Sequence, residues 1–105
     1  MNRDDPILKK CRAILSSLHG ERLKGIVLYG SLARGTERED SDIDLLVLLE
    51  GPVDAGLEIR RVCEAVYPVQ LESDRLICLM PAEAEAYRKG SYMFYRSAQE
   101  NGVAV

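Results

Sequence analysis

The hydrophobic and polar positions of the first half of the chain predict one helix followed by two strands. Apolar residues recur at helical spacing over residues 7–18, Asp5 can cap this helix, and Gly20 ends it. A short apolar run at 25–29 (GIVLY) predicts a strand. The run at 42–50 (DIDLLVLLE) is apolar on both faces after its acidic start. It therefore predicts a strand at the centre of a sheet.

The second half predicts a helix, a strand and two short helices. Asp54 can cap the helix and Pro68 is expected to stop it. The segment 69–80 (VQLESDRLICLM) then predicts a third strand, and 82–90 and 91–102 predict short helices. This order is typical of the α/β (α+β) class, with a small mixed sheet of three to four strands and flanking helices.

Length and composition favour a single domain over residues 1–105 with one core. The net charge of −3 argues against a broad nucleic-acid surface, and no direct nucleic-acid binding is expected. No apolar run approaches the roughly 18 residues of a membrane span, and the first residues lack a signal-peptide core, so a cytoplasmic location without membrane contact is expected. The three cysteines have no metal-ligand spacing and predict small buried side chains in a reducing compartment. Self-association stays open.

Candidate chemistry lies between the first two strands, in YGSLARGTEREDSDID at 29–44. Alternation along a strand puts Asp42 and Asp44 on the same face, where two like charges repel unless a cation lies between them. A divalent cation that prefers oxygen ligands, such as Mg²⁺, would relieve this repulsion. A polar loop is expected over 35–41, between the glycine–serine step and the two aspartates.

The glycine–serine step supplies groups suited to an anion. Gly30 lets the backbone approach a ligand closely, and Ser31 can donate a hydrogen bond to a phosphate oxygen. A brief helix is expected over 31–34, and its first N–H groups would face the same anion. Arg34 is either a phosphate contact or an outward surface arginine. A phosphate site beside a carboxylate pair indicates phosphoryl or nucleotidyl transfer.

The joint pattern resembles a known family. The segment GSLARGTEREDSDID matches the G-S-x10-D-x-D signature of the minimal nucleotidyltransferases of the DNA polymerase β superfamily at every defining position. The resemblance implies a polymerase β-like nucleotidyltransferase fold. It also implies that Gly30 and Ser31 hold the triphosphate of ATP, and that Asp42 and Asp44 bind two Mg²⁺ ions.

The family takes a third catalytic and metal-binding carboxylate from a later strand. Asp74 is the favoured candidate because family members place an aspartate just before the apolar run of that strand. Glu72 is the alternative third carboxylate, since it would face the same side of an extended strand. Arg75 departs from the apolar residue expected after that aspartate.

The resemblance also implies a function and a partner. Many members are antitoxins that transfer AMP from ATP to a tyrosine of a HEPN-domain toxin. Two alternatives remain: a non-catalytic antitoxin that neutralises its partner by complex formation, and a transferase acting on a small molecule of the aminoglycoside type. The aromatic-rich stretch 87–95 either closes the core over the sheet or forms a partner surface.

Overall fold

The computed structural model describes residues 1–35, 38 and 41–105, and the described residues form one four-stranded mixed sheet with helices on its faces. The strands are Leu23–Tyr29 (β1), Ile43–Leu49 (β2), Ile77–Glu83 (β3) and Val103–Ala104 (β4). The helices are Pro6–His19 (α1), Ser31–Arg34 (α2), Ala55–Glu72 (α3), Ala84–Lys89 (α4) and Met93–Asn101 (α5), with a 3₁₀ turn at Gly20–Arg22. This arrangement confirms the predicted α/β class and the brief helix after Gly30. Most of the predicted polar loop at 35–41 lies outside the described residues.

The sheet order β3-β2-β1-β4 places β2 in the interior, as its two apolar faces predict. β1 runs antiparallel to both β2 and β4, whereas β2 and β3 are parallel and joined through α3. Because β1 and β2 are antiparallel, the last residues of β1 and the first residues of β2 lie next to each other, at the same end of the two strands.

Side-chain alternation divides the core between the two faces of the sheet. α1 and α3 cover one face, and their buried residues pack with the odd-numbered positions of β2: Leu8, Leu15, Leu45, Val47, Val62 and Val66. The other face carries a smaller apolar cluster below α4 and α5: Val27, Leu46, Leu48, Ala82 and Ala98. The even-numbered positions of β2, which include Asp44, therefore face the thinner layer. None of the helices in the described part of the chain combines the length and apolarity needed to cross a membrane.

The prediction that Pro68 stops the third helix is wrong. α3 continues through Pro68 to Glu72 and ends only at Ser73. An interior proline removes one helical hydrogen bond and crowds the preceding turn. Val66 and Val69, on either side of it, are both buried in the core. Burial of this apolar face on the sheet outweighs the local cost of the proline.

The predicted third strand is also misplaced. β3 begins at Ile77 rather than at residue 69, and it runs past Pro81 to Glu83. Proline is tolerated there because β3 lies at the edge of the sheet, where one side of the strand needs no backbone partner. Glu72 and Asp74 are therefore not on a strand.

The cysteines differ in environment, contrary to the expectation that all three are buried. Cys11 is buried in the core, Cys63 is exposed, and Cys78 is partly exposed. On α3, Ile59 is exposed as well as Cys63, whereas the buried face carries Glu58 together with Val62, Val66 and Val69.

Glu58 is a buried carboxylate beside His19, the last residue of α1, and it is contacted by two partly exposed arginines. Its Oε1 accepts hydrogen bonds from Arg22 at 3.3 Å and Arg61 at 3.2 Å. His19 Nδ1 lies 3.7 Å from Glu58 Oε2, and His19 Nε2 has no hydrogen-bond partner among the described residues. Burial lowers the pKa of His19 below its usual 6.5; attraction by Glu58 opposes this, whereas repulsion by the two arginines adds to it.

This lowered pKa predicts an acid-sensitive fold. The unfolded chain, with a histidine pKa near 6.5, binds a proton more readily than the folded chain. Stability should therefore be unaffected by His19 above about pH 7.5 and should fall as the pH drops below about 6.5. Urea unfolding of wild type and His19→Leu between pH 5 and 8 measures this. The free energy of unfolding of the variant should depend less on pH than that of wild type, by a slope equivalent to less than one bound proton. Equal pH slopes in the two proteins would assign the acid sensitivity to other groups.

Candidate active site

The first part of the site is the tight connection from β1 to α2. Gly30 follows β1 with φ 77° and ψ −160°, a conformation open almost only to glycine. A Cβ built at Gly30 would overlap the Asp44 carboxylate, with Asp44 Oδ2 as its nearest atom. Ser31 begins α2 directly after this glycine. The glycine thus allows backbone and carboxylate to lie against each other, which the sequence motif alone could not show.

The second part is the start of β2. Asp44 pairs with Tyr29 across the β1–β2 ladder, and Asp42 lies two positions earlier on the same side. Burial is the main cause of the raised pKa of Asp44, and the negative charge of Asp42 adds to it. A hydrogen bond from Cys78 and the positive charge of Arg34 act in the opposite direction. The crowded carboxylates predicted from the D-x-D spacing are therefore present.

The third part is Cys78, which the sequence analysis did not select. Cys78 pairs with Asp44 across the parallel β2–β3 ladder, so its side chain points to the same face. Its thiol donates to Asp42 Oδ2 at 3.8 Å. One ligand atom from each of Asp42, Asp44 and Cys78 lies within 4.8 Å of the other two. Burial, followed by the two carboxylate charges, raises the pKa of the Cys78 thiol.

Neither candidate for the third carboxylate belongs to this group. Glu72 is the last residue of α3 and forms an ion pair with Lys10 at 2.7 Å. Asp74 is exposed in the bend between α3 and β3. The reason is the register of β3 against β2. The residues that were expected to begin the strand belong to α3, so Cys78 is the residue that pairs with Asp44. A catalytic role for Asp74 stays a prediction.

Arg75 fixes the segment that leads into Asp42. Its guanidinium donates to the backbone oxygens of Arg38 at 3.0 Å and Ser41 at 2.8 Å. Ser41 Oγ in turn accepts from Arg38 N at 2.7 Å. The arginine that departs from the family pattern therefore ties the turn before β3 to the residues just before the aspartates.

A cavity of about 260 Å³ adjoins the glycine–serine step. It lies between α2 and α5 and is lined by Tyr29, Gly30, Arg34, Phe94, Ser97, Ala98 and Asn101. A larger cavity of about 660 Å³ lies near the opposite end of β2, away from the aspartates, so the smaller one is the candidate substrate site. Arg34 is exposed on its wall. Ser97 and Asn101 were not predicted as site residues, because a single serine and asparagine on a short helix carry no distinguishing pattern.

The aromatic-rich stretch is partly buried and partly exposed. Tyr87 and Tyr95 are partly buried and pack on the smaller core cluster. Tyr92 and Met93 are 64% and 80% exposed, and Phe94 contacts Tyr29 edge to face with ring centroids 5.1 Å apart. Part of the stretch closes the core, and part forms an exposed apolar surface beside the cavity.

These residues suit a divalent metal. The two carboxylates supply hard oxygen ligands on one side of β2, and burial together with the negative charge of Asp42 raises the pKa of Asp44. Together with the glycine–serine step and the cavity, they define the class of enzymes that act on a phosphate group with metal assistance.

Comparison with known proteins identifies the family. The nucleotidyltransferase domain family matches residues 8–97, so the chain belongs to this family and is a nucleotidyltransferase. The chain is 29% identical over 102 residues to "Putative protein adenylyltransferase MJ0604" of Methanocaldococcus jannaschii, covering 97% of this chain and 96% of that protein. A second protein of that organism, "Putative protein adenylyltransferase MJ0141", is 36% identical over 44 residues, or 42% of this chain and 44% of that protein.

A solved structure supports the fold. A chain from the "Crystal structure of the toxin-antitoxin with AMP-PNP" superposes with a TM-score of 0.59 at 22% identity. The match covers 91% of this chain and 70% of that chain. The polymerase β-like fold implied by the sequence resemblance to minimal nucleotidyltransferases is thereby confirmed.

Proposed function

We propose that residues 1–105 form a single catalytic domain that transfers AMP from ATP to a hydroxyl group of a partner protein. The observation that carries this proposal is the close packing of the Asp44 carboxylate against Gly30, a residue that lines the cavity, which puts a candidate metal ligand beside the glycine–serine step. The similarity to proteins named as adenylyltransferases acting on protein supports AMP as the transferred group.

The triphosphate is assigned to Gly30, Ser31 and Arg34. Gly30 leaves its backbone open to a phosphate oxygen, the Ser31 hydroxyl donates a hydrogen bond, and the Arg34 guanidinium supplies positive charge on the cavity wall. The nucleoside then extends into the cavity toward Ser97 and Asn101, whose polar atoms suit a ribose or a base edge.

The metal is assigned to Asp42 and Asp44, with two Mg²⁺ ions as the family resemblance implies. Asp42 and Asp44 would hold a divalent cation, which would neutralise the charge that develops on the transferred phosphate and the leaving pyrophosphate. The chain's own part is to hold the two carboxylates on one face of β2 and to fix the approach to Asp42 through Arg75.

The acceptor is assigned to a tyrosine of a HEPN-domain toxin. The toxin–antitoxin with AMP-PNP that shares this fold supports such a setting. Tyr92 and Met93 are exposed and precede Phe94, which lines the cavity, so they offer apolar area on which a protein acceptor could dock.

Transfer of radioactive label tests the proposal. The chain, a divalent metal, ATP labelled at the α-phosphate and the purified candidate partner should yield a labelled partner, and ATP labelled at the γ-phosphate should not label it. Tryptic mapping should place the AMP on a tyrosine. A tight complex without transferred label would instead support the alternative function, neutralisation by association.

Ser31→Ala should weaken ATP binding moderately. Loss of one hydrogen bond to a charged group costs roughly 1.5–3 kcal/mol, which is roughly a 10- to 150-fold rise in Kd. Ser97→Ala is the comparison variant. Ser97 lines the cavity to which the nucleoside is assigned, so its loss should affect ATP and AMP alike. Calorimetric titration with ATP and with AMP measures both: Ser31→Ala should affect ATP more than AMP. Equal affinity of wild type and Ser31→Ala for ATP would exclude a triphosphate contact by this hydroxyl.

A further inference from the structure

We propose that Cys78 is the third ligand of the metal site, and that the resulting two-carboxylate, one-thiolate site favours Mn²⁺, Co²⁺ or Zn²⁺ over Mg²⁺. The inference rests on the site of the proposed function, and it replaces the Mg²⁺ that the family resemblance implies with a softer ion. It concerns the residue by which this chain departs from the three-carboxylate pattern that its family resemblance implies.

The geometry brings the thiol to the metal position. Parallel pairing of Asp44 with Cys78 fixes the two side chains on one face of neighbouring strands. The sulfur lies 3.8 Å from Asp42 Oδ2. Metal–oxygen bonds of about 2.1 Å and metal–sulfur bonds of about 2.3 Å let one ion bridge an oxygen and a sulfur about 3–4 Å apart. The observed separation therefore needs little adjustment.

Packing does not account for a cysteine at this position. Cys11 is buried in the main core, as a small apolar residue would be. Cys78 instead lies partly exposed beside two carboxylates, and Met80, the next residue of β3 on this face, is 44% exposed. Cys78 belongs to neither of the two apolar core clusters, so core packing gives no reason for a cysteine in place of a serine or an alanine.

Ligand chemistry then decides which metals fit. Mg²⁺ takes hard oxygen ligands and gains little from sulfur. Thiolate ligands suit softer ions, and affinity for mixed sites rises from Mn²⁺ through Co²⁺. Binding of such an ion displaces the thiol proton to solvent and forms the metal–sulfur bond. Among the residues that the structure describes, no carboxylate takes the third place in the ligand group.

Cobalt absorption tests the proposal without using activity. Titration of the fully reduced protein with Co²⁺ should produce a near-ultraviolet sulfur-to-cobalt charge-transfer band that saturates at one thiolate per chain. Cys78→Ser should abolish the band, whereas Cys63→Ser, which removes an exposed thiol on α3, should leave it unchanged. Cys78→Asp should raise the affinity for Mg²⁺ relative to Mn²⁺ by at least about tenfold in competition titrations. Changes to the groups that merely contact a metal's ligands already alter affinity by about 10- to 100-fold.

The outcomes separate this inference from the proposed function. Absence of the band in wild type, or its persistence in Cys78→Ser, overturns the thiolate ligand even if AMP transfer with Mg²⁺ succeeds. A band that depends on Cys78 and on Asp44 supports the site even if no acceptor is labelled. Circular dichroism of each variant confirms that a lost band reflects a lost ligand and not a lost fold.

Discussion

We expect Asp44→Asn to abolish AMP transfer while the chain stays folded. Asp44 lies at the centre of the site: its carboxylate contacts Gly30, neighbours Asp42 and pairs through its strand with Cys78. Residues that only hydrogen-bond to a metal's ligands already affect metal affinity or activity by about 10- to 100-fold. Loss of a direct ligand should therefore lower transfer by more than about 100-fold. Single-turnover transfer of label at saturating metal measures the effect.

Stability should change in the opposite direction from activity. The raised pKa of Asp44 means that the folded chain disfavours the ionised carboxylate, so without a cation this charge costs stability at neutral pH, and the cost fades as the pH falls through the raised pKa. Asp44→Asn should therefore unfold at equal or higher urea concentration than wild type in metal-free buffer at pH 7. Glu64→Gln, on the exposed face of α3, is the matched control and should change neither the transfer rate nor the urea midpoint. Normal transfer by Asp44→Asn would remove this residue from the metal site.

The second large effect is expected from Gly30→Ala. A side chain at Gly30 must adopt an unfavourable backbone conformation, at a cost of about 1–3 kcal/mol. The new Cβ must also displace the Asp44 carboxylate. We therefore expect a less stable protein in which both ATP binding and metal binding are lost, as measured by calorimetry with each ligand.

Gly35→Ala provides the control for backbone strain. Gly35 has φ 74°, but a Cβ there meets no atom of the described residues within 4 Å. This variant should lose about 1–2 kcal/mol of stability and keep its affinity for metal and nucleotide. If both variants lost only stability, Gly30 would matter for the turn and not for the ligand site.

Local patterns were sufficient to predict the parts of the fold in which neighbouring residues decide the structure. The Asp5 cap, the end of α1 at Gly20 and the interior position of β2 follow from side-chain chemistry and periodicity, and the structure has all three. The shared face of Asp42 and Asp44 follows from strand alternation in the same way.

The remainder depended on contacts between distant segments. Pro68 looks like a helix end until the burial of Val66 and Val69 on the sheet is known. That longer helix moves the start of β3 to Ile77, and this shift brings Cys78 beside Asp44. No local feature of the segment distinguishes this register from the predicted one.

The antiparallel pairing of β1 and β2 has a consequence for how the site is assembled. Gly30 and Asp44 belong to one hairpin, so a short chain closure is enough to join them. Cys78 reaches Asp42 from 36 positions away and only after the crossover through α3 has packed. The third ligand therefore belongs to a separately formed unit, and evolution can exchange it without rebuilding the hairpin. The β1–β2 hairpin can therefore keep Gly30 and Asp44 in place while the residue at position 78, and with it the preferred metal, differs.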